Sequence, residues 1–187
     1  MTKAMAALGV RSHSGWAAYV VLAGNPKAPD IVARGRMELC EQCKQPFHEA
    51  EPMPFARAAK FIAACRTVTA KLADEALKPI GPVNGCCILT ASGRPLPELN
   101  AILASHALIH AAEGEFYRDA LADACARAGI AVRRVRERDI VDDAQHLPAW
   151  RERIASFGKA MGAPWTQDEK LSALGAWLVL AAKPSRR

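Results

Sequence analysis

Between Ser105 and Glu115 the chain concentrates groups able to bind a metal or move a proton, in the run Ser105-His106-Ala-Leu-Ile-His110-Ala-Ala-Glu113-Gly-Glu115. His106, His110 and Glu113 stand at i, i+4 and i+7, which on an α-helix puts them on one stripe about two turns long. Two imidazoles and a carboxylate that leave a coordination position open are a common catalytic set for Zn²⁺ or Fe²⁺, with a metal-bound water as nucleophile. One helix seldom supplies every ligand, so His13, Asp168 or Arg11 would complete such a site from elsewhere. The same stripe carries Leu99, Leu103, Tyr117 and Leu121. The alternative is therefore structural: the three polar groups sit half-buried and hydrogen-bond one another, since each left unpaired costs on the order of 1–3 kcal/mol. Catalytic, metal-binding and structural roles stay open for His106, His110 and Glu113.

A second loaded segment is Arg11-Ser12-His13-Ser14. Backbone N–H groups, two hydroxyls, a guanidinium and an imidazole suit a phosphate or carboxylate oxygen, and a plain polar hairpin turn is the alternative. Arg11, Ser12, His13 and Ser14, joined by Glu115 and Asp168, form the expected ligand-binding set. Cys40-Glu-Gln-Cys43 with His48 resembles half of a zinc site, but no second Cys-x-x-Cys closes the tetrahedron. Arg127, Arg133, Arg134, Arg136 and Arg138 gather positive charge that could track a phosphate backbone, with Glu137 and Asp139 at hand to compensate it. No Gly-x-Ser-x-Gly elbow and no Gly-rich Walker loop occurs.

The elements that must position these groups are legible in the hydrophobic pattern. Residues 5–39 read as three strands: an apolar run to Val10, turn chemistry at Ser12 to Gly15, a β-branched and aromatic run from Trp16 to Leu22, then alternation from Ile31 to Leu39. Cys40 to Pro54, with three prolines and no periodicity, reads as a loop. Phe61, Cys65, Val68, Leu72 and Ala76 recur at helical spacing within Phe55 to Leu77. Gly85 to Thr90 is continuous enough for a strand buried on both faces. A long helical pattern near 97–128, with a break expected at Gly114 and a cap at Gly129, leads to a fifth strand at Ile130 to Val135. A further helical stretch spans about Pro148 to Ala160. Thr166-Gln-Asp-Glu169 then matches a capping box ahead of the last apolar run, which also accounts for Asp168 and Glu169 at a helix N-terminus.

Bulk properties bound the rest. A length of 187 residues with 51% hydrophobic and 24% charged residues suits one folded domain, here residues 1–182, followed by a basic tail at 183–187. The longest apolar run, Leu171 to Ala182, falls well short of the roughly 20 residues of a membrane span. The first ten residues lack a secretory pattern and Cys86 and Cys87 sit side by side in an apolar run, so a cytoplasmic protein without disulfides is expected. A net charge of +6 favours anionic partners such as nucleic acid or a phosphorylated small molecule, or serves solubility.

Three strands in a meander, a helix, a fourth strand, a helix, a fifth strand and a closing helix is the order of the ribonuclease H-like fold. The opening Leu8-Gly-Val-Arg-Ser-His-Ser-Gly-Trp-Ala-Ala-Tyr-Val-Val-Leu22 resembles the first hairpin of Holliday-junction resolvases of the RuvC type and of actin-like ATPases. That resemblance implies an α/β ribonuclease H-like mixed five-stranded sheet, a three-strand antiparallel meander plus two parallel strands, with helices on both faces. It also implies carboxylates holding two divalent cations, one acid being on strand one. Here Arg11 stands in that slot, and strand four ends in Thr90-Ala-Ser92 without an acid. The leading expectation is thus a protein binding nucleic acid or a phosphate-bearing ligand at Arg11, His13 and Ser14, with His106, His110 and Glu113 approaching from the crossover helix. The rivals are a metal-dependent hydrolase or divergent nuclease built on those three residues, and a homodimeric interaction protein in which they are structural.

Overall fold

The computed structural model describes residues 5–91 and 93–182; the expected basic tail at 183–187 lies outside them. Five strands form one mixed sheet: β1 (Ala6–His13), β2 (Trp16–Asn25), β3 (Ala28–Glu38), β4 (Gly85–Thr90) and β5 (Ala131–Arg136). Their order is β3-β2-β1-β4-β5. The first three are an antiparallel meander, and β4 and β5 add in parallel to β1, so the carboxyl ends of β1, β4 and β5 share one edge. Every residue of β4 is buried, as its unbroken apolar run predicts for a central strand covered on both faces.

Strand alternation divides the core in two. Leu8, Val10, Ala17, Val21, Cys86 and Ile88 face helices α2 (Phe55–Leu77) and α4 (His106–Arg127), whose Ile62, Ile109, Ala112 and Phe116 complete that cluster. On the opposite face Ala7, Val20, Leu22, Cys87 and Leu89 meet α7 (Gln167–Ala181). Leu171 to Leu178 of α7 are all buried, and a helix apolar on every side must be covered on every side. Its outer surface is covered by Ile140 of α5 (Ile140–Asp143) and by Ile154 and Phe157 of α6 (Trp150–Met161). The inner surface approaches the sheet through glycines, for a Cβ on Gly9 would lie 1.8 Å from the Ser172 carbonyl oxygen.

Three local expectations are corrected. The segment Cys40 to Pro54 is not all loop: α1 (Pro46–Ala50) forms in it, with Pro46 in the first turn, where its missing N–H removes nothing. The 97–128 pattern breaks at Ala104 and Ser105, between α3 (Leu99–Leu103) and α4, and not at Gly114, which α4 passes through without interruption. The four-residue α5, flanked by 3₁₀ turns, was not expected. The capping box forms as read: the Thr166 side chain accepts from the Asp168 amide at 3.2 Å, and Glu169 accepts from the Thr166 amide at 2.8 Å.

Candidate functional site

Period-two alternation puts Ala7, Gly9, Arg11 and His13 on the α7 face of β1. α7 covers the first two and begins at Gln167, capped by Thr166, so Arg11 and His13 emerge beside its first turn. There the Arg11 guanidinium is held from two sides. Nε and Nη2 donate in a fork to Glu137, just past β5, at 2.9 and 2.8 Å, while Nη1 donates to Asp168 on α7. His13 Nε2 lies 3.1 Å from the same Asp168 oxygen. Asp168 is therefore not spent on the cap, which Glu169 makes with Thr166. Burial pushes the Asp168 carboxyl up, but the hydrogen bonds and charges of Arg11 and His13 outweigh it and hold it below the ordinary carboxylate value. Glu137, in turn, raises the Arg11 pKa.

This arrangement does not fit the pair of divalent cations that the fold's nucleases use. A guanidinium already occupies the space between the two carboxylates, and β4 ends in Thr90 with no acid to add.

Beside the pair, a polar row crosses the meander. His13 stands opposite Trp16 in the register, and their rings stack at 4.3 Å with 15° between planes. From β3, the Arg36 guanidinium lies 4.0 Å from the Trp16 ring centroid, and Arg36 also pairs with Glu38. Of the turn hydroxyls, Ser14 is exposed and Ser12 half-buried on the opposite side of the strand, and among the described residues neither has a hydrogen-bond partner.

The α4 stripe forms as the spacing predicts, but its members divide. His106 and His110 bring their Nε2 atoms to 3.0 Å, and the third group they meet is His48 of α1, at ring-centroid distances of 5.5 and 4.7 Å. Glu113, with 4% exposure, is a turn deeper. Its Oε1 accepts from the Phe47 amide at 2.8 Å, the His48 amide at 3.0 Å and His48 Nδ1 at 3.1 Å. One turn further, the Tyr117 hydroxyl donates to the Lys44 carbonyl at 2.9 Å, and burial pushes its pKa up, which keeps it a neutral donor. Glu113 and Tyr117 thus pin the segment that carries His48. Tyr117→Phe should lower stability by about 1 kcal/mol, read as an earlier urea midpoint, through loss of that one hydrogen bond. An unchanged midpoint would show that the anchor is idle.

Glu115 is engaged elsewhere, accepting from Arg118 at 2.9 Å and Arg134 at 3.1 Å, which ties α4 to β5. The arginines on and around the fifth strand are charge-compensated: Arg127 pairs with Asp74, Arg133 with Asp143, Arg134 also with Asp119, and Arg136 and Arg138 with Asp139. Cys40 and Cys43 do not join His48. The groups that converge with the His48 ring are His106 and His110, while burial, then a hydrogen bond with Glu49, pushes the Cys43 thiol up.

The expected single centre divides into two. Arg11 and His13 lie on the α7 face, whereas α4 packs on the other face against Leu8 and Val10. Among the described residues no hydrogen bond, ion pair or ring contact links Arg11, His13 or Asp168 to His106, His110 or Glu113. The residues missed from sequence are Glu137, read only as a compensating charge, and His48, assigned to the cysteines.

No protein-family model and no curated protein sequence matches the chain. Among solved structures, RuvC from Thermus thermophilus in complex with Holliday junction substrate superposes with a TM-score of 0.54 at 11% identity, covering 93% of this chain and 91% of that one. A second structure of Thermus thermophilus RuvC gives 0.51 at 14% identity, with 93% and 92% covered. With the observed strand order and the helices on both faces, these likenesses identify the fold of this chain as ribonuclease H-like.

Proposed function

We propose that the protein binds nucleic acid at the carboxyl end of β1 without cutting it through a carboxylate-held metal pair. The observation that carries this reading is the Arg11 guanidinium between Glu137 and Asp168, at the strand-one position where the resemblance expects an acid and its cations. The ion pair neutralises Arg11, so affinity would come from its neighbours. In the His13, Trp16 and Arg36 row the faces of the Trp16 ring are taken by His13 at 4.3 Å and by Arg36 at 4.0 Å, so the row offers its ring edges and the half-exposed Arg36 guanidinium, whose partner Glu38 is itself mostly exposed, to phosphates. The net charge of +6 supports a polyanionic partner, as does the Holliday junction held by the similar RuvC structure. No helix among the described residues is long and apolar enough to cross a membrane, and the six free cysteines fit a reducing, cytoplasmic setting.

The test is fluorescence anisotropy with a labelled four-way junction and a labelled duplex at low salt. Binding should weaken as salt rises, and both Arg36→Ala and Trp16→Ala, which removes the ring that holds Arg36 in place, should weaken it several-fold through loss of one phosphate contact. Neither DNA should be cut in Mg²⁺. Absence of binding at low salt, or magnesium-dependent cleavage, would overturn the reading.

A further inference from the structure

The imidazoles on the α2/α4 face are unused by this reading, and their geometry is that of an open metal site. The ligand nitrogens of His48, His106 and His110 all lie within 4.8 Å of one another. Without a metal the His106 and His110 Nε2 atoms share one proton in a hydrogen bond, whereas one cation accepts a lone pair from all three imidazoles. Zinc–imidazole bonds of 2.0–2.1 Å at tetrahedral angles require nitrogens about 3.3 Å apart. His106 and His110 are already at 3.0 Å, and rotation of exposed rings brings His48 into the same range.

A second observation points the same way. Glu113 is buried, and among the described residues its Oε2 has no hydrogen-bond partner. Its Oε1 takes the Nδ1 proton of His48, which fixes the tautomer and leaves Nε2 as a lone-pair donor. A carboxylate behind a ligating histidine is the usual outer support of a zinc site, orienting the ring and balancing the charge of the ion. The support is itself anchored. Glu113 also binds the backbone amides of Phe47 and His48, Phe47 packs edge-on against Phe116 at 6.0 Å, and Tyr117 holds Lys44.

We propose that His48, His106 and His110 bind one Zn²⁺, with Glu113 as the positioning residue behind His48. His106 and His110 are exposed, so the fourth position faces solvent and would hold water. Zinc lowers the pKa of such a water toward neutrality, which suits the site to hydrolytic chemistry. The metal set differs from the one the sequence suggested: His48 takes the ligand place of Glu113, and Glu113 moves behind it.

The test is titration of the chelator-stripped full chain with Zn²⁺ against a chromogenic chelator, repeated with Co²⁺ to read coordination from its visible absorption. One Zn²⁺ per chain and the intense absorption of tetrahedral Co²⁺ are expected. His48→Ala and His106→Ala should each weaken binding at least 100-fold, the latter with unchanged circular dichroism because His106 is exposed. Glu113→Gln should weaken it 10–100-fold and leave the cobalt spectrum tetrahedral, as expected of a positioning residue and not of a ligand. Cys43→Ser should have no effect. Failure of the wild-type chain to bind Zn²⁺, equal affinity of wild type and His106→Ala, or loss of binding in Cys43→Ser would overturn the assignment.

Discussion

Gly9→Ala is expected to lower stability by about 4 kcal/mol or more, or to prevent folding, read by urea unfolding followed by circular dichroism. The added Cβ would meet the Ser172 carbonyl oxygen at 1.8 Å, the Ala176 nitrogen at 2.7 Å and the Ser172 carbonyl carbon at 2.8 Å. All three are backbone atoms of α7, so no side chain can rotate aside and the helix itself must lift from β1. Overpacking a core ordinarily costs 1–3 kcal/mol because neighbouring side chains adjust. Lifting α7 also loosens Leu174, Trp177 and Leu178, which are almost fully buried in the second core cluster. Gly114→Ala is the contrasting control. There the Cβ meets only the Arg118 guanidinium at 2.8 Å, the end of a long side chain whose bonds to Glu115 and the Leu89 carbonyl must adjust, in a helix interior that favours alanine over glycine. Its effect should stay within about 1 kcal/mol. Equal midpoints for Gly9→Ala and wild type would mean that α7 does not lie against β1 as described, and the placement of Asp168 beside Arg11 would fall with it.

That contact also explains why the fold could be read from the chain more fully than the site. Strand alternation, the unbroken apolar run of β4 and the capping box at Thr166 are local patterns, and each appears where the local physics puts it. The spacing of His106, His110, Glu113 and Tyr117 likewise names a helical stripe, and the stripe exists. Which loop lies against it depends on α1, a single turn hidden among prolines whose main anchors, Glu113 and Tyr117, come from about 70 residues later in the chain. No local pattern encodes that pairing. The separation of the two centres was within reach: Gly9 and Arg11 share a parity opposite to Leu8 and Val10, and the helix that packs on the latter pair cannot meet Arg11. Following that alternation along β1 would have placed the α4 histidines on the far face. His48 could have been found by its residue type, but the nearby Cys-x-x-Cys drew it toward a site that does not assemble.

Arg11→Asp should destabilise the protein by about 2 kcal/mol at neutral pH and reverse the direction in which acid acts on it. Removing one partner of a fully buried ion pair costs about 3–5 kcal/mol, and the part-buried state of this one, with side-chain exposures of 23% for Arg11 and 40% for Glu137, brings the expected cost below that range. In the wild type the Asp168 carboxyl sits below its ordinary value of 3.8, so its contribution is complete above that value and is lost as pH falls through the depressed native value. In the variant, Glu137 and Asp168 face a third carboxylate with no guanidinium between them, and like charges raise carboxyl pKa values. Groups that bind protons more tightly when folded gain stability on acidification, so between about pH 6 and 4 the variant should become more stable while the wild type does not. Three carboxylates also make a hard oxygen site. Millimolar Mg²⁺ or Mn²⁺ should therefore raise the melting temperature of the variant and leave that of the wild type unchanged. Thermal melts over a pH series, with and without Mg²⁺, read both effects. If the variant shows the wild-type pH slope and no response to Mg²⁺, then Arg11 is not the cation that joins the two acids, and the reason given for the absence of a metal pair at the end of β1 is wrong.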